Sequence, residues 1–149
     1  MNLTLIEKRQ PDKGRFWLSF GESDEFRASW WNKGVQAPSS SSWFEVRDGD
    51  LEVARIELDD VVPIEEWAGV PRLGRIALEI QLIEVAASQR HQGIGTEIIR
   101  MLAAEFPDRR LVAFSETDRF WASLGWDRHD HAGEPERRRA LYIQPASNA

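Results

Sequence analysis

Apolar and polar positions alternate most strictly between Trp43 and Leu58. Trp43-Phe44-Glu45-Val46-Arg47 and Leu51 to Leu58 flank Asp48-Gly49, a pair suited to a tight turn, and this predicts an antiparallel hairpin. From Ile76 to Ala87 the apolar run is nearly continuous, broken by Glu79, Gln81 and Glu84, which predicts a central strand buried on both faces. Beyond Gly95, residues Ile98, Ile99, Met101, Leu102 and Phe106 recur at helical spacing until Pro107 stops the helix. Leu111 to Ser115 predicts a short buried strand, and residues 117–124 a short helix ended by Gly125. Trp126 to His129 and Arg139 to Ile143 read as closing strands around the Gly133-Glu134-Pro135 turn.

The first forty residues are less regular. Leu3 to Glu7 and Phe16 to Phe20 are candidate strands separated by the polar turn from Gln10 to Gly14. Residues 22–31 set Phe26, Trp30 and Trp31 on one helical side, while Pro38 and the serines 39–42 read as a loop. Residues 60–74, punctuated by Pro63, Gly69 and Pro71, read as a connection. A β-rich first half followed by strand–helix–strand–helix–strand predicts one α+β domain over residues 1–149, a mixed sheet flanked by helices. No repeat or linker interrupts it.

Composition narrows the picture. The chain has 149 residues, enough for one real core, and its 42% apolar and 30% charged content is that of an ordinary globular protein. Its seven tryptophans are spread along the whole length and are expected to be core anchors. Without cysteine it has neither disulfides nor thiolate metal sites. A net charge of −6 argues against nucleic-acid binding and weakly favours a cationic substrate. The N-terminus lacks a long apolar stretch, and no apolar run approaches membrane-spanning length, so a cytoplasmic location without a membrane partner is expected.

The chemistry concentrates at Arg90-His91-Gln92-Gly93-Ile94-Gly95, between the central strand and the amphipathic helix. Two glycines at a strand-to-helix turn let backbone N–H groups approach an anion, and the helix start adds free donors and the positive end of its dipole. This predicts a diphosphate cradle. The dinucleotide-binding fingerprint would want a third Gly or Ala where Ile98 stands, and an early place in a βαβ chain. Neither condition is met.

Together with Val85-Ala86-Ala87-Ser88-Gln89 before it, this turn resembles the signature of the GNAT superfamily of N-acetyltransferases: a strand ending in Val, then Arg or Gln, two residues, Gly, one residue, and Gly or Ala. Phe120-Trp121-Ala122-Ser123-Leu124-Gly125-Trp126 resembles the family's Phe-Tyr-x-x-x-Gly-Phe segment. The two motifs occur in the family's order, with a strand and a helix between them. The resemblance implies the GNAT fold, with the central and following strands splayed to admit a pantetheine arm. It implies coenzyme A, held at its diphosphate by the main chain of Gln92, Gly93, Ile94, Gly95 and Thr96, with Arg90 supplying charge nearby. The main chains of Val85 and Ala87 would hold the pantetheine amides.

Acyl transfer from a thioester needs a neutral amine, a polarised carbonyl and a proton for the leaving thiolate. A carboxylate raised in pKa by burial can take the amine proton through water. Glu79 interrupts an apolar strand, a costly place for a charge. It lies eleven residues before Arg90, matching the general-base glutamate of histone-acetylating branches of the family. Glu116, at the mouth of the next strand, is the second candidate, and Glu84 could face the other way. Trp121 stands where many members carry an acidic tyrosine; an indole can pack beside the pantetheine but does not usefully protonate a thiolate. Phe114 stands where an asparagine often contacts the pantetheine, and the only tyrosine, Tyr142, is on the last predicted strand. His129-Asp130-His131 lacks a third ligand for a metal. Arg137-Arg138-Arg139 reads as a solvated strand entry.

The expected activity is transfer of an acetyl group from acetyl-CoA to a primary amine of a small molecule or protein. Main-chain N–H groups near Val85 would polarise the thioester. The alternative is a non-catalytic acyl-CoA-binding or sensor module of the same fold, which the missing tyrosine favours. A homodimer is the candidate assembly.

Overall fold

A computed structural model describes residues 1–10, 17–34 and 39–146. Its seven strands are β1 (Leu3–Lys8), β2 (Ser41–Asp48), β3 (Leu51–Asp59), β4 (Ala77–Val85), β5 (Arg110–Phe114), β6 (Asp127–His129) and β7 (Leu141–Ile143). They form one sheet in the order β1-β2-β3-β4-β5-β7-β6. Among the described residues three α-helices, α1 (Ala28–Trp31), α2 (Ile94–Glu105) and α3 (Asp118–Ser123), accompany it. The architecture is α+β.

The sheet is antiparallel except where β4 meets β5. That parallel pairing joins Ala77, Leu78 and Glu79 to Arg110, Leu111 and Val112, and no further. Beyond it β4 runs on to Val85 and β5 to Phe114, so the two strands splay into a fork. A parallel pair needs a covered crossover, which α2 supplies. Its Ile94, Ile98, Ile99 and Leu102 are buried against Ile56, Leu58, Leu78 and Ile80, a gain of roughly 1.5–3 kcal/mol per side chain. A second cluster around Leu73, Val112 and Ile143, and a third around Phe20, Phe26, Trp31, Trp43 and Ala86, complete the core.

Several expectations change. Phe16 and the turn residues 11–14 lie outside the described residues, as does Pro38. Trp17 to Phe20 form no strand: Trp17 makes an isolated bridge, and Phe20 turns into the third cluster. Aromatic residues such as Trp17 and Phe20 signal burial, which a loop supplies as well as a strand does. The helix over 22–31 shrinks to the single turn of α1 because the backbone of the preceding segment bonds to the end of β4 instead. Ser41 and Ser42 are not loop residues; they pair with Asp59 and Leu58 at the start of β2. The central strand is not buried throughout either, since Gln81 is exposed. There the register shifts: Leu58 faces Ile80 and Glu57 faces Leu82, leaving Gln81 as a bulge.

Candidate active site

The fork opens a cleft of about 680 Å³ between β4 and β5, floored by residues 80–85 and walled by Phe114, Phe120 and Trp121 on the β5 side. Ala86 donates its N–H to Val53 O (2.8 Å), so its main chain points at β3. By alternation, the main-chain groups of Ile83 and Val85 point away from β3, into the fork. The Val85 carbonyl accepts a hydrogen bond from Arg90 Nε (3.3 Å). Its N–H faces the cleft as a free donor.

At the mouth, His91 (φ 65°) and Gly93 (φ 78°) both take left-handed conformations, and Gly93 caps α2. Together they turn the chain sharply from the end of β4 into the helix. The first backbone bond back to this turn is Glu97 N–H to Gly93 O (3.1 Å). The N–H groups of Ile94, Gly95 and Thr96 are therefore free helix-start donors. Gly95 has a different reason for being glycine. A Cβ there would lie 3.2 Å from the Phe120 ring. The helix start and the aromatic wall approach so closely that a side chain there would push the Phe120 ring back by a few tenths of an ångström. Arg90, His91 and Gly95 line the cleft, while Gln92, Gly93 and Thr96 are exposed at its lip and the Ile94 side chain is buried beneath. A convergent set of donors at the end of a long cleft fits a diphosphate-bearing ligand.

Two expected contacts are taken up internally. Ala87 donates its N–H to Glu25 O (3.0 Å) and stays outside the cleft lining, so its N–H is not available to a ligand. The Arg90 guanidinium also turns inward, to Glu84 (3.3 Å) as well as to the Val85 carbonyl. Glu84 is buried, and its carboxylate gathers Arg27 N–H (2.9 Å), Trp31 Nε1 (2.9 Å), Arg27 Nε (3.4 Å) and Arg90. It clips α1 to the strand end. Arg27 in turn lies over the Trp30 ring at 4.3 Å, and both line the cleft. Sequence reading did not single out Arg27, and it gave Phe120 and Gln81 no place in the site. Trp30 carried only a helical-face signal.

Glu79 is the last residue of β4 paired with β5, at the inner end of the fork. Its neighbours Leu78 and Ile80 face α2, so its side chain lies on the opposite sheet face and is half-buried. Burial first, then Asp59 directly opposite and Glu57 nearby, push its pKa up to about 7. Ile80 and Gln81 line the cleft and Glu79 does not, so a water would have to link its carboxylate to a reacting group there. Glu116 does line the cleft, but it is exposed and paired with Arg139 (2.9 Å). Trp121 is buried, edge-to-face with Phe120 and tilted against Trp126, with centroids 4.9 Å from each. Tyr142 is buried in β7 and absent from the cleft lining. His129 Nδ1 meets Ala68 O (2.8 Å), and His131 Nδ1 accepts from Gly133 and Glu134 N–H, so those rings are committed to their turns. Among the described residues, no cluster of three or more His, Asp or Glu could hold a metal, and no helix is long and apolar enough to cross a membrane.

No family model and no curated protein matches the chain. Solved structures do. An acetyltransferase from Thermus thermophilus superposes with TM-score 0.56 at 16% identity over 74% of this chain, which spans 66% of that protein, just under two thirds. The Bacillus subtilis N-acetyltransferase YlbP, solved in complex with coenzyme A, gives 0.54 at 15% identity over 76% of this chain and 70% of its own. A chain from Desulfovibrio desulfuricans assigned to the GNAT family gives 0.50 at 14% identity, covering 70% and 68%. At these identities the likeness is one of fold. With its forked β4 and β5, its glycine turn and its crossover helix, the chain has the fold of the GNAT acetyltransferases.

Proposed function

We propose that the protein is an N-acyltransferase that moves an acetyl group from acetyl-CoA to a primary amine of a small molecule or protein. The observation that carries this reading is the fork itself: a cleft bordered by the unpaired main chain of β4, with free N–H donors at its mouth. That YlbP, which shares the fold, was solved with coenzyme A supports the choice of cofactor. In this reading residues 1–149 act as one domain in the cytoplasm, alone or as a homodimer.

The residues divide the work by position. The lip from Gln92 to Thr96 holds the diphosphate with N–H groups, and Val85 N–H, with Ile83 beside it, orients the pantetheine arm and the thioester carbonyl. Bound acetyl-CoA supplies the activated acyl group. Glu79, poised near neutrality, takes the proton from the acceptor ammonium through water; exposure and the Arg139 pair make Glu116 the weaker candidate. The amine nitrogen bonds to the acyl carbon as the carbon–sulfur bond breaks. The new amide nitrogen sheds its extra proton to solvent, and solvent returns one to the thiolate, since Trp121 has none to give. The aromatic wall excludes water from the acyl group.

The test is calorimetric binding of coenzyme A, followed by thiol release from acetyl-CoA with a panel of primary amines. Micromolar or tighter binding and amine-dependent release are expected; an intact protein that binds no coenzyme A ends the proposal. The buried indole at Trp121 favours one second reading, an acyl-CoA-binding module without turnover. Binding without release for any amine would select it. Trp121→Tyr should then raise release from zero if only the acid is missing.

A further inference from the structure

A smaller chamber of about 270 Å³ lies on the sheet face that carries α1, and the reaction above does not use it. Phe20, Trp30, Trp31 and Trp43 wall it, with Glu57 in its lining. Trp30 also lines the cleft, so chamber and cleft adjoin at its indole. Glu57 is half-buried and accepts hydrogen bonds from Trp43 Nε1 (3.1 Å) and Ser41 Oγ (3.3 Å). Both partners are neutral.

That sets Glu57 apart from Glu45, Glu52 and Glu84. Glu45 pairs with Lys8 and Arg47, Glu52 with Arg55, and Glu84 with Arg27 and Arg90. Among the described residues Glu57 has no ion pair; Lys33 also borders the chamber but is exposed and forms no pair with it. A partly buried carboxylate with only neutral partners keeps an uncompensated charge. Indole rings wall the space around it, and Trp43 turns its Nε1 edge to the carboxylate. The chamber therefore has the chemistry of a cation site in a sleeve of aromatic walls edged by Ser19, Ser39 and Ser41.

We propose that this chamber takes a second cationic group on the acceptor, whose reacting amine lies at the fork; this rests on the acyl-transfer reading above. The register supplies the spacing. Glu79 faces Asp59 directly, and Glu57 lies two residues along β3, a diagonal of about 7–8 Å. A reacting amine linked to Glu79 by water and a second ammonium at Glu57 are then separated by a span of that order. The acceptor class is thus a linear diamine, or an alkyl chain bearing two such charges. A simple monoamine fills the sleeve but leaves Glu57 uncompensated, and an amine ending in a carboxylate is repelled.

The test compares 1,5-diaminopentane, n-pentylamine and 5-aminopentanoate for calorimetric binding to the protein saturated with coenzyme A. The diamine should bind at least tenfold tighter than the monoamine, with the amino acid weakest. Glu57→Gln retains an oxygen for Trp43 and Ser41, and should bring the diamine-to-monoamine ratio close to one. Equal affinities in the wild-type protein overturn the proposal without any variant, and so does an unchanged ratio in Glu57→Gln. Thiol release from acetyl-CoA, measured in parallel, reports the reaction separately. Release without diamine preference removes the chamber and leaves acyl transfer standing, whereas diamine preference without release removes acyl transfer and leaves the chamber as a cation site.

Discussion

Glu79 and Glu84 stand five residues apart on one strand, and their surroundings give them opposite characters. Glu84 is surrounded by donors and cations, so its charge is compensated in place. Truncating it to Ala would leave the Trp31 indole N–H and the Arg27 N–H without their acceptor, while the exposed Arg27 and Arg90 guanidinium groups turn to solvent; a loss of about 1–3 kcal/mol in denaturant unfolding is expected. Glu79 meets burial and two like charges, which raise its pKa from 4.5 to about 7. The sign follows from linkage: an acid more easily protonated in the folded state contributes stability below its unfolded pKa, and that contribution is lost as pH rises through about 7. Glu79→Gln should therefore flatten the fall in Tm between pH 5 and pH 8. As a base, Glu79 must be ionised, so the acetylation rate should climb through the same range. Glu79→Gln should lower that rate by about a hundredfold near neutrality, with the deficit shrinking at high pH where the amine is already neutral. A variant with wild-type rates across the pH range would hand the role to Glu116 or to water.

Between β4 and α2 the two glycines act for different reasons, and substitutions should separate them. Gly93 sits at φ 78°, so Gly93→Ala should cost about 1–2 kcal/mol of stability through backbone strain. Gly95 has no such φ; Gly95→Val would push into Phe120 and close the lip, weakening coenzyme A at least tenfold, about 1.4 kcal/mol, in calorimetry. The need for glycine at both positions was legible in the sequence, but these separate causes were not. The β2–β3 hairpin was legible because alternation and Asp48-Gly49 agree, and α2 because its apolar stripe ends at a proline. Trp17 to Phe20 misled because aromatic residues mark burial rather than strand geometry. The role of Glu84 was hidden for another reason. Its partners Arg27 and Trp31 lie more than fifty residues away, and no local spacing encodes that meeting. The bonds from Ala87 to Glu25 and from Arg90 to Glu84 were hidden in the same way, since those partners meet only in the folded chain.

Across the whole molecule, a ligand lying in the fork would contact both arms of the sheet, β1–β4 and β5–β7. Coenzyme A at a hundredfold excess over its Kd should add about 2.7 kcal/mol to the unfolding free energy, read as a rise in Tm that grows with ligand concentration. A Tm insensitive to millimolar coenzyme A would place the cofactor outside the native state's reach. The fork also bears on how the chain reaches this state. Strands β1 to β4 join as sequence-ordered antiparallel neighbours, β2 and β3 through a tight turn. The arm carrying β5, β7 and β6 is tied to them in the sheet only at Ala77–Glu79 and Arg110–Val112, and that junction closes only after some thirty residues of crossover have been organised. Loop closure of that kind is slow compared with a hairpin. Refolding would therefore assemble the antiparallel arm early and dock the carboxyl-terminal arm late, making the cofactor cleft a seam where the last folding step takes place.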